Sequence, residues 1–402
     1  MKRVLFVAPC HSLFDERVLR TIRAAESCGC ESLLAVDADV YSRWKAQPVR
    51  AGGDALISSL GQVLFLSLPR VSPRKSLARL QRFLKAADFV HSASILRPDI
   101  VHVHESGSLG LVLSFLFKAI MPEVKVVFDY HDWIPYELSL LVRHCAPAYA
   151  LLLPLLVLVC RYFASRLDVV VAVSEGQARW VEGNLRVSNI VVIPNVRPYL
   201  GVISSGGDAR PNYFVPSYLF VGNVMRSRRL ELVALLMCDH RLRQFAPRFD
   251  VVGDVVDASY EKELLGISAS RGIEGSIFFH GPYSHDRQIE CLVVPGMVAC
   301  LFPLTQSENP SKIESISSSN KFYTYANLGV PMILHSSYVE MVGIMEAHGA
   351  GFSFSCHEEM VEACMRLWSD RALWKEKSIG ARSIASVHSN EVYEHRLSGL
   401  YV

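Results

Sequence analysis

The stretch Ser319-Asn-Lys-Phe-Tyr-Thr-Tyr-Ala-Asn-Leu-Gly-Val-Pro-Met-Ile333 decides the fold of the C-terminal half of the chain. Ser319 and Asn320 predict a helix start, because their side chains accept hydrogen bonds from the free N–H groups of a first turn. Gly329 predicts the end of that helix, and Pro331 prevents its continuation. The apolar residues that follow the proline predict a strand.

Lys321 lies in the first turn of this predicted helix. A cation is unfavourable there, beside the positive end of the helix dipole. We therefore expect an anion at the same place, since the N-terminus of a helix is a natural site for phosphate. The alternative is an ordinary capped helix that carries a lysine without a ligand.

The chain up to about residue 198 alternates strand-like and helix-like segments. Several of the strand segments are continuously apolar, as parallel strands covered on both faces should be. The alternation predicts a doubly wound parallel sheet. The predicted strands are Val4–Ala8, Ser32–Val36, Val63–Leu66, Ile100–Val103, Val124–Phe128, Val169–Val173 and Ile190–Ile193, and the predicted helices are Glu16–Cys28, Lys75–Phe89, Gly110–Ile120 and Glu175–Gly183.

A segment rich in proline, serine and glycine, residues 199–217, interrupts this pattern and is the predicted linker. The alternation then resumes, which predicts two α/β domains, residues 1–198 and 218–385, that face each other across a cleft. Residues 386–402 contain a further predicted helix. The predicted strands of the second domain are Tyr218–Gly222, Phe249–Val252, Ile277–Phe279, Val298–Leu301 and Met332–Leu334.

Composition excludes several classes of protein. The formal net charge of +2 argues against a dedicated nucleic-acid binder. The apolar run Val4–Cys10 leads directly into charged residues without a cleavage signature, which predicts a buried first strand in a cytoplasmic protein. The ten cysteines are scattered through apolar segments, so reduced thiols are favoured over disulfides or zinc. No Gly-x-Gly-x-x-Gly or Walker sequence follows a predicted strand, which weakens a dehydrogenase or kinase interpretation.

The stretch from residue 319 to 333 resembles the nucleotide-sugar-binding segment of retaining GT-B glycosyltransferases of the family-four-like type, also called glycosyl transferases group 1. That segment is usually written Asn-Lys-Leu-x-Glu-Tyr-x-Ala-x-Gly-x-Pro-Val-Ile. The resemblance implies a GT-B fold with two Rossmann-like domains, and a C-terminal helix that packs back across both. Further segments match the family in order: Asp15–Arg20, Val169–Glu175, Val191–Asn195, Val251–Asp254 and Phe278–Gly281.

A basic loop follows the strand that ends at Gly222. Ligands of open α/β sheets bind beyond the carboxyl ends of strands, and arginine can hold a diphosphate through two hydrogen bonds. The loop carries Arg226, Arg228 and Arg229, and the family places a cation here to bind the donor diphosphate. We favour Arg226 and Arg228 for this role; the alternative is a solvated basic turn.

Three candidates for the acceptor side and one for the donor sugar lie in the first domain. The strand that ends in His104 resembles the family strand that delivers a histidine to the donor sugar; the alternative is a structural histidine held by hydrogen bonds. After the next strand, His131 and Asp132 match a family motif near the acceptor, or hold the polar groups of an aromatic-rich loop. Asp15 begins the match to the family's early helix, which follows a loop near the acceptor.

The family also implies further donor contacts, and one of them departs from its pattern. Many relatives have two glutamates separated by seven residues, of which the second binds the ribose hydroxyls. Here that second position is Thr324, whose single hydroxyl is a weaker acceptor than a carboxylate. The backbone near His280 and Gly281 is expected to contact the base. The remaining donor candidates are Gly222, Arg229, Ser319 and Asn320.

Two segments raise the question of membrane contact. The run from Cys145 to Cys160 holds 16 residues without a charge, which predicts a buried helix or one at the membrane surface rather than a span. The segment from Arg74 to Lys85 is basic with a leucine stripe, which suits either an anionic membrane surface or packing on the sheet.

The sequence therefore predicts a transferase that moves a sugar from a UDP- or GDP-linked donor to a glycan or lipid-linked acceptor. We expect retention of configuration, no metal and no further cofactor. By resemblance, the setting is surface-polysaccharide assembly in the cytoplasm, with peripheral contact to the inner face of an anionic membrane. The alternatives are a UDP-sugar hydrolase or epimerase with the GT-B fold, and a noncatalytic GT-B-like partner protein.

Overall fold

The chain forms two compact α/β units. The computed structural model describes residues 1–8, 16–37, 62–66, 86–104, 107–130, 155, 157–201, 213–283, 286–303, 315–316 and 318–402. Unit 1 comprises Met1–Pro194 and Tyr393–Val402, and unit 2 comprises Asn195–Val392.

Unit 1 is built on a parallel sheet. Its described strands are β1 (Arg3–Val7), β2 (Glu31–Asp37), β3 (Gln62–Leu66), β4 (Ile100–Val103), β5 (Lys125–Tyr130), β6 (Val169–Ala172) and β7 (Ile190–Val192). They lie in the order β3-β2-β1-β4-β5-β6-β7, and each neighbouring pair is parallel. β1, β4 and β6 are almost wholly buried, because helices cover both faces of the sheet.

The helices of unit 1 connect these strands. They are α1 (Glu16–Ser27), α2 (Gly107–Ile120) and α3 (Glu175–Leu185). Residues 86–94 and 157–164 are also helical. Ser174 caps α3, since its hydroxyl accepts a hydrogen bond from the Gln177 backbone N–H at 3.0 Å.

Unit 2 repeats the same design with one strand fewer in its described residues. The strands are β8 (Ser217–Val221), β9 (Arg248–Val252), β10 (Ile277–Gly281), β11 (Met297–Leu301), β12 (Met332–His335) and β13 (Gly351–Phe354). The order is β10-β9-β8-β11-β12-β13, and all neighbours are parallel. The chain order reverses between β8 and β11, and ligands of doubly wound sheets bind at such a point.

The helices of unit 2 pack on both faces of this sheet. They are α4 (Glu231–Met237), α5 (His240–Arg243), α6 (Ala258–Ser270), α7 (Asp286–Glu290), α8 (Asn320–Leu328), α9 (Val339–Ala347), α10 (His357–Ser369) and α11 (Arg371–Val387). A last helix, α12 (Asn390–Ser398), leads into the residues that join unit 1. Trp368 and Trp374 fix α10 and α11 to the sheet, because their indole N–H groups donate to the carbonyls of Gly296 and Met297.

The twelve predicted strands are confirmed, with shifts of one or two residues at their ends. The edge strand β13 was not predicted. It begins with Gly351, and glycine weakens a strand prediction. The structure requires that glycine, because a Cβ atom on it would lie 1.8 Å from the carbonyl oxygen of Met332.

The boundaries of the units differ from the expected domain limits. Unit 1 ends at Pro194, before the expected limit at residue 198, and the first linker residues belong to unit 2. Arg197 pairs there with Ser389 through an isolated parallel bridge. The C-terminal residues from Tyr393 onward belong to unit 1.

Several predictions fall outside the described residues. These are the acceptor candidates Asp15, His131 and Asp132, the basic segment from Arg74 to Lys85, and the first part of the uncharged run that begins at Cys145. Among the helices that the structure does describe, none combines the length and apolar character needed to cross a membrane.

Candidate functional site

Glycines shape the carboxyl-end edge of the sheet in unit 2. Gly222 follows β8, with φ +134°, and Gly253 follows β9, with φ +145°. A Cβ atom on Gly253 would lie 2.1 Å from the Gly222 carbonyl oxygen. Gly281 ends β10 and accepts a hydrogen bond from the Gly253 N–H at 2.8 Å. The loops after β8 and β9 therefore approach each other so closely that a side chain cannot replace Gly253.

Helix α8 begins beside this edge. Ser319 is its N-cap, and the serine hydroxyl accepts from the Lys321 backbone N–H at 3.3 Å. Gly329, in the left-handed conformation at φ +65°, ends the helix. The predicted start and end of this helix are therefore confirmed.

The side chain of Lys321 crosses directly over Gly222. A Cβ atom on Gly222 would lie 2.8 Å from Lys321 Cε and 3.4 Å from its Nζ. The ammonium group also lies 5.6 Å from the centre of the Phe220 ring, a cation–π distance. The glycine is thus the reason that the lysine can reach across from α8 to the end of β8.

Lys321 lies in a positive environment. Burial of the lysine, together with the charges of Arg228 and Arg197, lowers the pKa of Lys321 to about 7. Within the described ranges, no carboxylate lies within ion-pair distance of Lys321 or Arg228. The cations Lys321, Arg228 and Arg197 therefore lie close together, and a nearby anion would relieve their mutual repulsion.

Two polar atoms near this cluster have no hydrogen-bond partner in the described part of the chain. They are Nε of Arg228 and the hydroxyl oxygen of Ser318, and both atoms are buried. Unsatisfied buried polar atoms are costly in folded proteins and often mark a position where a ligand or water binds. Their place next to the N-terminus of α8 points to an anionic ligand.

The three arginines of the basic loop have different surroundings. Arg226 is 56% exposed, forms an ion pair with Glu263 and lies 3.6 Å from a carboxylate oxygen of Asp257. Arg229 adopts a left-handed conformation, with φ +55°, and its buried Nε has no partner among the described residues. Of these three arginines, only Arg228 has a charge that contributes to lowering the pKa of Lys321. The geometry therefore favours Arg228 over Arg226 as an anion ligand.

Arg197 belongs to the cluster, and the sequence analysis missed it. Its Nε donates to the Thr324 hydroxyl at 3.2 Å, and it lies 3.9 Å from a carboxylate oxygen of Asp286. Thr324 is buried, and its hydroxyl already accepts this hydrogen bond at the position where many members of the family that the chain resembles have a ribose-binding glutamate. The only feature of the sequence that pointed to Arg197 was its place two residues after Val191–Asn195, a segment that matches the family.

The other donor candidates occupy the same unit. His280, on β10, places Nε2 2.8 Å from the buried carboxylate of Asp250, which also forms an ion pair with Arg248. That carboxylate fixes the orientation of the imidazole. Asn320, the first residue of α8, is exposed. The roles predicted for these residues stay predictions.

His104 lies in a buried polar core of unit 1. Its ring is fully buried, with Nδ1 2.8 Å from Asp129 and Nε2 2.9 Å from the hydroxyl of Thr21. Arg17, on α1, holds Asp129 with two hydrogen bonds. Such burial fits the structural interpretation of His104, and the role predicted for His104 at the donor sugar stays a prediction.

His102 extends this core to the C-terminus. Its Nδ1 lies 2.7 Å from the phenol oxygen of Tyr401, and its ring stacks on His104 with centroids 4.0 Å apart. Burial and the neighbouring His104 hold the pKa of His102 well below its usual value. The imidazole is therefore neutral and serves to anchor the end of the chain in unit 1.

The cluster His102, His104 and Asp129 has ligand types that can hold a metal ion, within 4.8 Å of one another. Burial raises the pKa of Asp129, but the charge and hydrogen bonds of Arg17, with the hydrogen bond to His104, hold that pKa well below its usual range. The guanidinium already supplies the positive charge that this carboxylate needs. A metal ion does not fit beside it.

Comparisons with known proteins agree with this architecture. Residues 32–196, less than half of the chain, match the family model described as Glycosyltransferase Family 4. No curated protein matches the sequence. The match confirms the predicted class of enzyme, a glycosyltransferase.

Solved structures with a similar fold cover nearly the whole chain. A glycosyltransferase from Rickettsia africae ESF-5 shares 14% identity at a TM-score of 0.65, over 100% of this chain and 97% of that one. HepE from Anabaena, in complex with UDP and glucose, shares 17% at 0.67, over 99% of both. The lipopolysaccharide outer core galactosyltransferase WaaB shares 13% at 0.64, over 99% and 98%. These likenesses confirm the predicted GT-B fold.

Proposed function

We propose that this protein is a glycosyltransferase that uses a nucleoside-diphosphate sugar as donor. The observation that carries the proposal is the position of Lys321, which lies over Gly222 at the N-terminus of α8 and close to the charge of Arg228. Neither cation has a carboxylate partner among the described residues. A diphosphate supplies the anion that these cations and the first N–H groups of the helix require.

The same cations account for the chemistry. In the transfer step, the bond between the anomeric carbon and the diphosphate oxygen breaks, and negative charge accumulates on the leaving group. Fixed cations stabilise that charge as it develops. Lys321, Arg228 and Arg197 do so without a metal ion in this proposal. The acceptor oxygen bonds to the anomeric carbon from the leaving-group side, its proton passes to the diphosphate, and the configuration is retained, as the family resemblance implies.

The donor and the setting are also part of the proposal. The Anabaena structure contains UDP and glucose, which supports a uridine diphosphate sugar as the first donor to test; GDP-linked sugars remain in the proposal. The acceptor is a glycan or lipid-linked glycan of a surface polysaccharide, in line with the lipopolysaccharide transferase among the similar structures. We place the enzyme in the cytoplasm, in peripheral contact with an anionic membrane.

A nucleotide screen tests the donor site. UDP, GDP, ADP and TDP, and their sugars, are added singly, and the thermal unfolding midpoint is recorded, since a ligand of the folded state raises stability by mass action. We expect one base to raise the midpoint. In Arg228→Ala, the affinity for that nucleotide should fall by about 1.5–3 kcal/mol, the usual contribution of a charge-assisted hydrogen bond.

Arg226→Ala is the matched control for this variant. It removes the same side chain from the same loop, but Arg226 is exposed and paired with Glu263. Its affinity for the nucleotide should therefore stay near that of the unmodified protein. Equal losses in both variants would remove the special role of Arg228, and no binding by any nucleotide would favour a noncatalytic protein.

Nucleotide binding should weaken as the pH rises above 7. The pKa of Lys321 is about 7 in the free protein, and a bound diphosphate favours the charged lysine. Binding therefore takes up a proton, and the affinity falls by up to about tenfold per pH unit. Titration calorimetry between about pH 7.5 and 9 measures this cleanly, because phosphate groups, with a second pKa of about 6, no longer titrate there.

Lys321→Arg serves as the control for the pH effect. Arginine keeps its charge over this range, so the variant should bind with little dependence on pH and without proton uptake. Calorimetry in two buffers of different ionisation enthalpy detects that uptake directly. An unmodified protein whose affinity is flat between these pH values would contradict the assignment to Lys321.

A further inference from the structure

A pocket of about 480 Å³ lies between α4 and α10 in unit 2. Phe302 directly follows β11, His335 ends β12 and Phe354 ends β13. The pocket therefore lies beyond the carboxyl ends of three strands, where ligands of doubly wound sheets bind. Its volume is in the range of small-molecule sites, about 300–1,000 Å³. The residues that line this α4/α10 pocket all belong to the described part of unit 2.

The walls of the α4/α10 pocket are mainly apolar. Phe302 and Phe354 meet edge to face, with ring centroids 5.9 Å apart. Leu232 of α4 and Met360 of α10 complete the walls. Phe302, Phe354 and Met360 are buried members of the hydrophobic core of unit 2, so these walls are fixed by packing. Two aromatic rings in such a position suit a flat aromatic ligand.

Arg229 brings a permanent positive charge to this pocket. No aspartate or glutamate is among the described residues that line it. Arg229 forms no ion pair with another residue that the structure describes. Its Nε is buried, and no hydrogen-bond partner for it lies within the described ranges. An unsatisfied guanidinium donor beside an apolar space calls for an anionic acceptor.

The acids closest along the chain to the α10 side of the pocket are already engaged. Glu359 accepts hydrogen bonds from the Ser355 backbone N–H at 2.6 Å and from the Ser355 hydroxyl at 2.8 Å. Glu358 forms an ion pair with Arg241. Neither carboxylate therefore neutralises Arg229, and a ligand from outside the chain can do so.

The backbone of Arg229 also favours a ligand site. Its φ of +55° lies in the left-handed region, which costs an arginine free energy that glycine would not lose. Backbone outliers of this kind cluster at ligand sites. The strained residue is here the same residue that carries the charge and the unsatisfied Nε.

We propose that the α4/α10 pocket binds an aromatic carboxylate, with the ring of the ligand against Phe302 and Phe354 and its carboxylate on Arg229. One guanidinium holds one carboxylate through two parallel hydrogen bonds. A phosphate group would bring a second negative charge, and the described lining contains no second arginine or lysine to balance it. The walls and the single permanent cation therefore favour a monoanion with an apolar body.

The α4/α10 pocket is separate from the proposed diphosphate site. Gly222, Arg228 and Lys321 are not among the described residues that line it. Arg228 contributes its charge to the surroundings of Lys321, whereas Arg229, the next residue, lines the pocket. The proposal therefore goes beyond the proposed function and does not depend on nucleotide binding.

Titration calorimetry with two probes tests the proposal on the full chain without nucleotide. The probes are 2-naphthoate and 2-naphthalenemethanol, which share one ring system but differ in charge. We expect 2-naphthoate to bind about tenfold or more tightly than the alcohol, because only the carboxylate pairs with Arg229. Arg229→Gly should remove this difference. The variant should fold, with an equal or higher unfolding midpoint, because glycine adopts the left-handed conformation without strain.

Leu235→Glu tests the pocket from its α4 side. Leu235 lines the pocket and is 39% exposed, so a glutamate there can reach Arg229 and repel a carboxylate ligand. The affinity for 2-naphthoate should fall by about tenfold or more. The matched control is Leu265→Glu on α6, where the leucine is 45% exposed. This variant should bind 2-naphthoate as the unmodified protein does.

The thiol of Cys356 reports where the probe binds. Cys356 is exposed and lines the pocket. Bound 2-naphthoate should therefore slow the alkylation of Cys356 by iodoacetamide, as measured by mass spectrometry of its peptide. Cys291 is the internal control, since it is also exposed and is not among the described residues of the lining. Its rate of alkylation should not change.

Four outcomes would overturn the proposal. The unmodified protein could fail to bind 2-naphthoate, or it could bind the alcohol equally well. The probe could leave Cys356 as reactive as before. A loss of 2-naphthoate binding in Lys321→Met would place the probe in the diphosphate site instead. A failure of the nucleotide screen would leave each of these results unaffected, so the two proposals can fail separately.

Discussion

Lys321→Met should weaken binding of the nucleoside diphosphate by about 3 kcal/mol or more, which is on the order of a hundredfold in Kd. Methionine keeps the length and apolar stem that pass over Gly222 and beside the Phe220 ring. Only the charge is lost, so the protein should fold normally. Titration calorimetry with the nucleotide found in the screen measures the change.

The same variant should be as stable as the unmodified protein, or more stable. A lysine whose pKa is lowered from 10.5 to about 7 by burial and by two arginines destabilises the folded state; the cost is full below pH 7 and disappears as the pH rises toward 10.5. Lower affinity together with equal or higher thermal stability is the signature of a residue kept for a ligand.

Lys377→Met is the control for this substitution. Lys377 lies on α11 of the same unit and forms an ion pair with Glu376. Its charge is not among those that lower the pKa of Lys321. Its removal should leave nucleotide affinity unchanged. If Lys321→Met bound the nucleotide as tightly as Lys377→Met does, the diphosphate site would have to be sought elsewhere.

Asp129→Asn should destabilise unit 1 by about 3–5 kcal/mol, the usual result of removing the charge of one partner from a buried ion pair. Arg17 is only 7% exposed, and the substitution removes the charge that compensates it. The denaturant dependence of hydrogen exchange over β4 and β5 gives the local free energy of unfolding, which is suited to a protein of two units.

Two further variants make this result specific. Asp129→Asn/Arg17→Met removes both charges and should recover much of the stability, since a buried pair can often be replaced by apolar groups at little cost. Glu31→Gln breaks the exposed pair with Arg3 and should change little. A change below about 1 kcal/mol in Asp129→Asn would show that the polar core around His104 is not a stabilising unit.

The strands and their parallel arrangement could be predicted because the signal is local. Val169–Ala172, for example, is a short apolar run buried on both faces, and such runs are typical of parallel sheets. The helix of the opening motif was equally clear, because Ser319 and Gly329 act on backbone groups a few residues away. β13 was missed because Gly351 is a poor strand former that the neighbouring strand nevertheless requires.

The membership of the site was less predictable. Arg226 and Arg228 are indistinguishable in sequence, and only the carboxylate of Glu263 separates the paired arginine from the unpaired one. Arg197 lay in a segment expected to end the first domain, yet it contacts Thr324 of α8. For His104 the sequence left two interpretations open, and only the fold shows that Asp129 and the Thr21 hydroxyl lie beside its two ring nitrogens.

The sequence by itself determined two doubly wound α/β units and the helix that carries Lys321, because periodicity, capping residues and glycines act over a few positions along the chain. The tertiary structure alone decided which of the described cations lie beside a carboxylate. Arg197, Arg228 and Lys321 come from distant parts of the sequence, and only folding brings the charges of both arginines close to the lysine. Electrostatic energy depends on distance and burial in space, and neither can be read from the order of the residues.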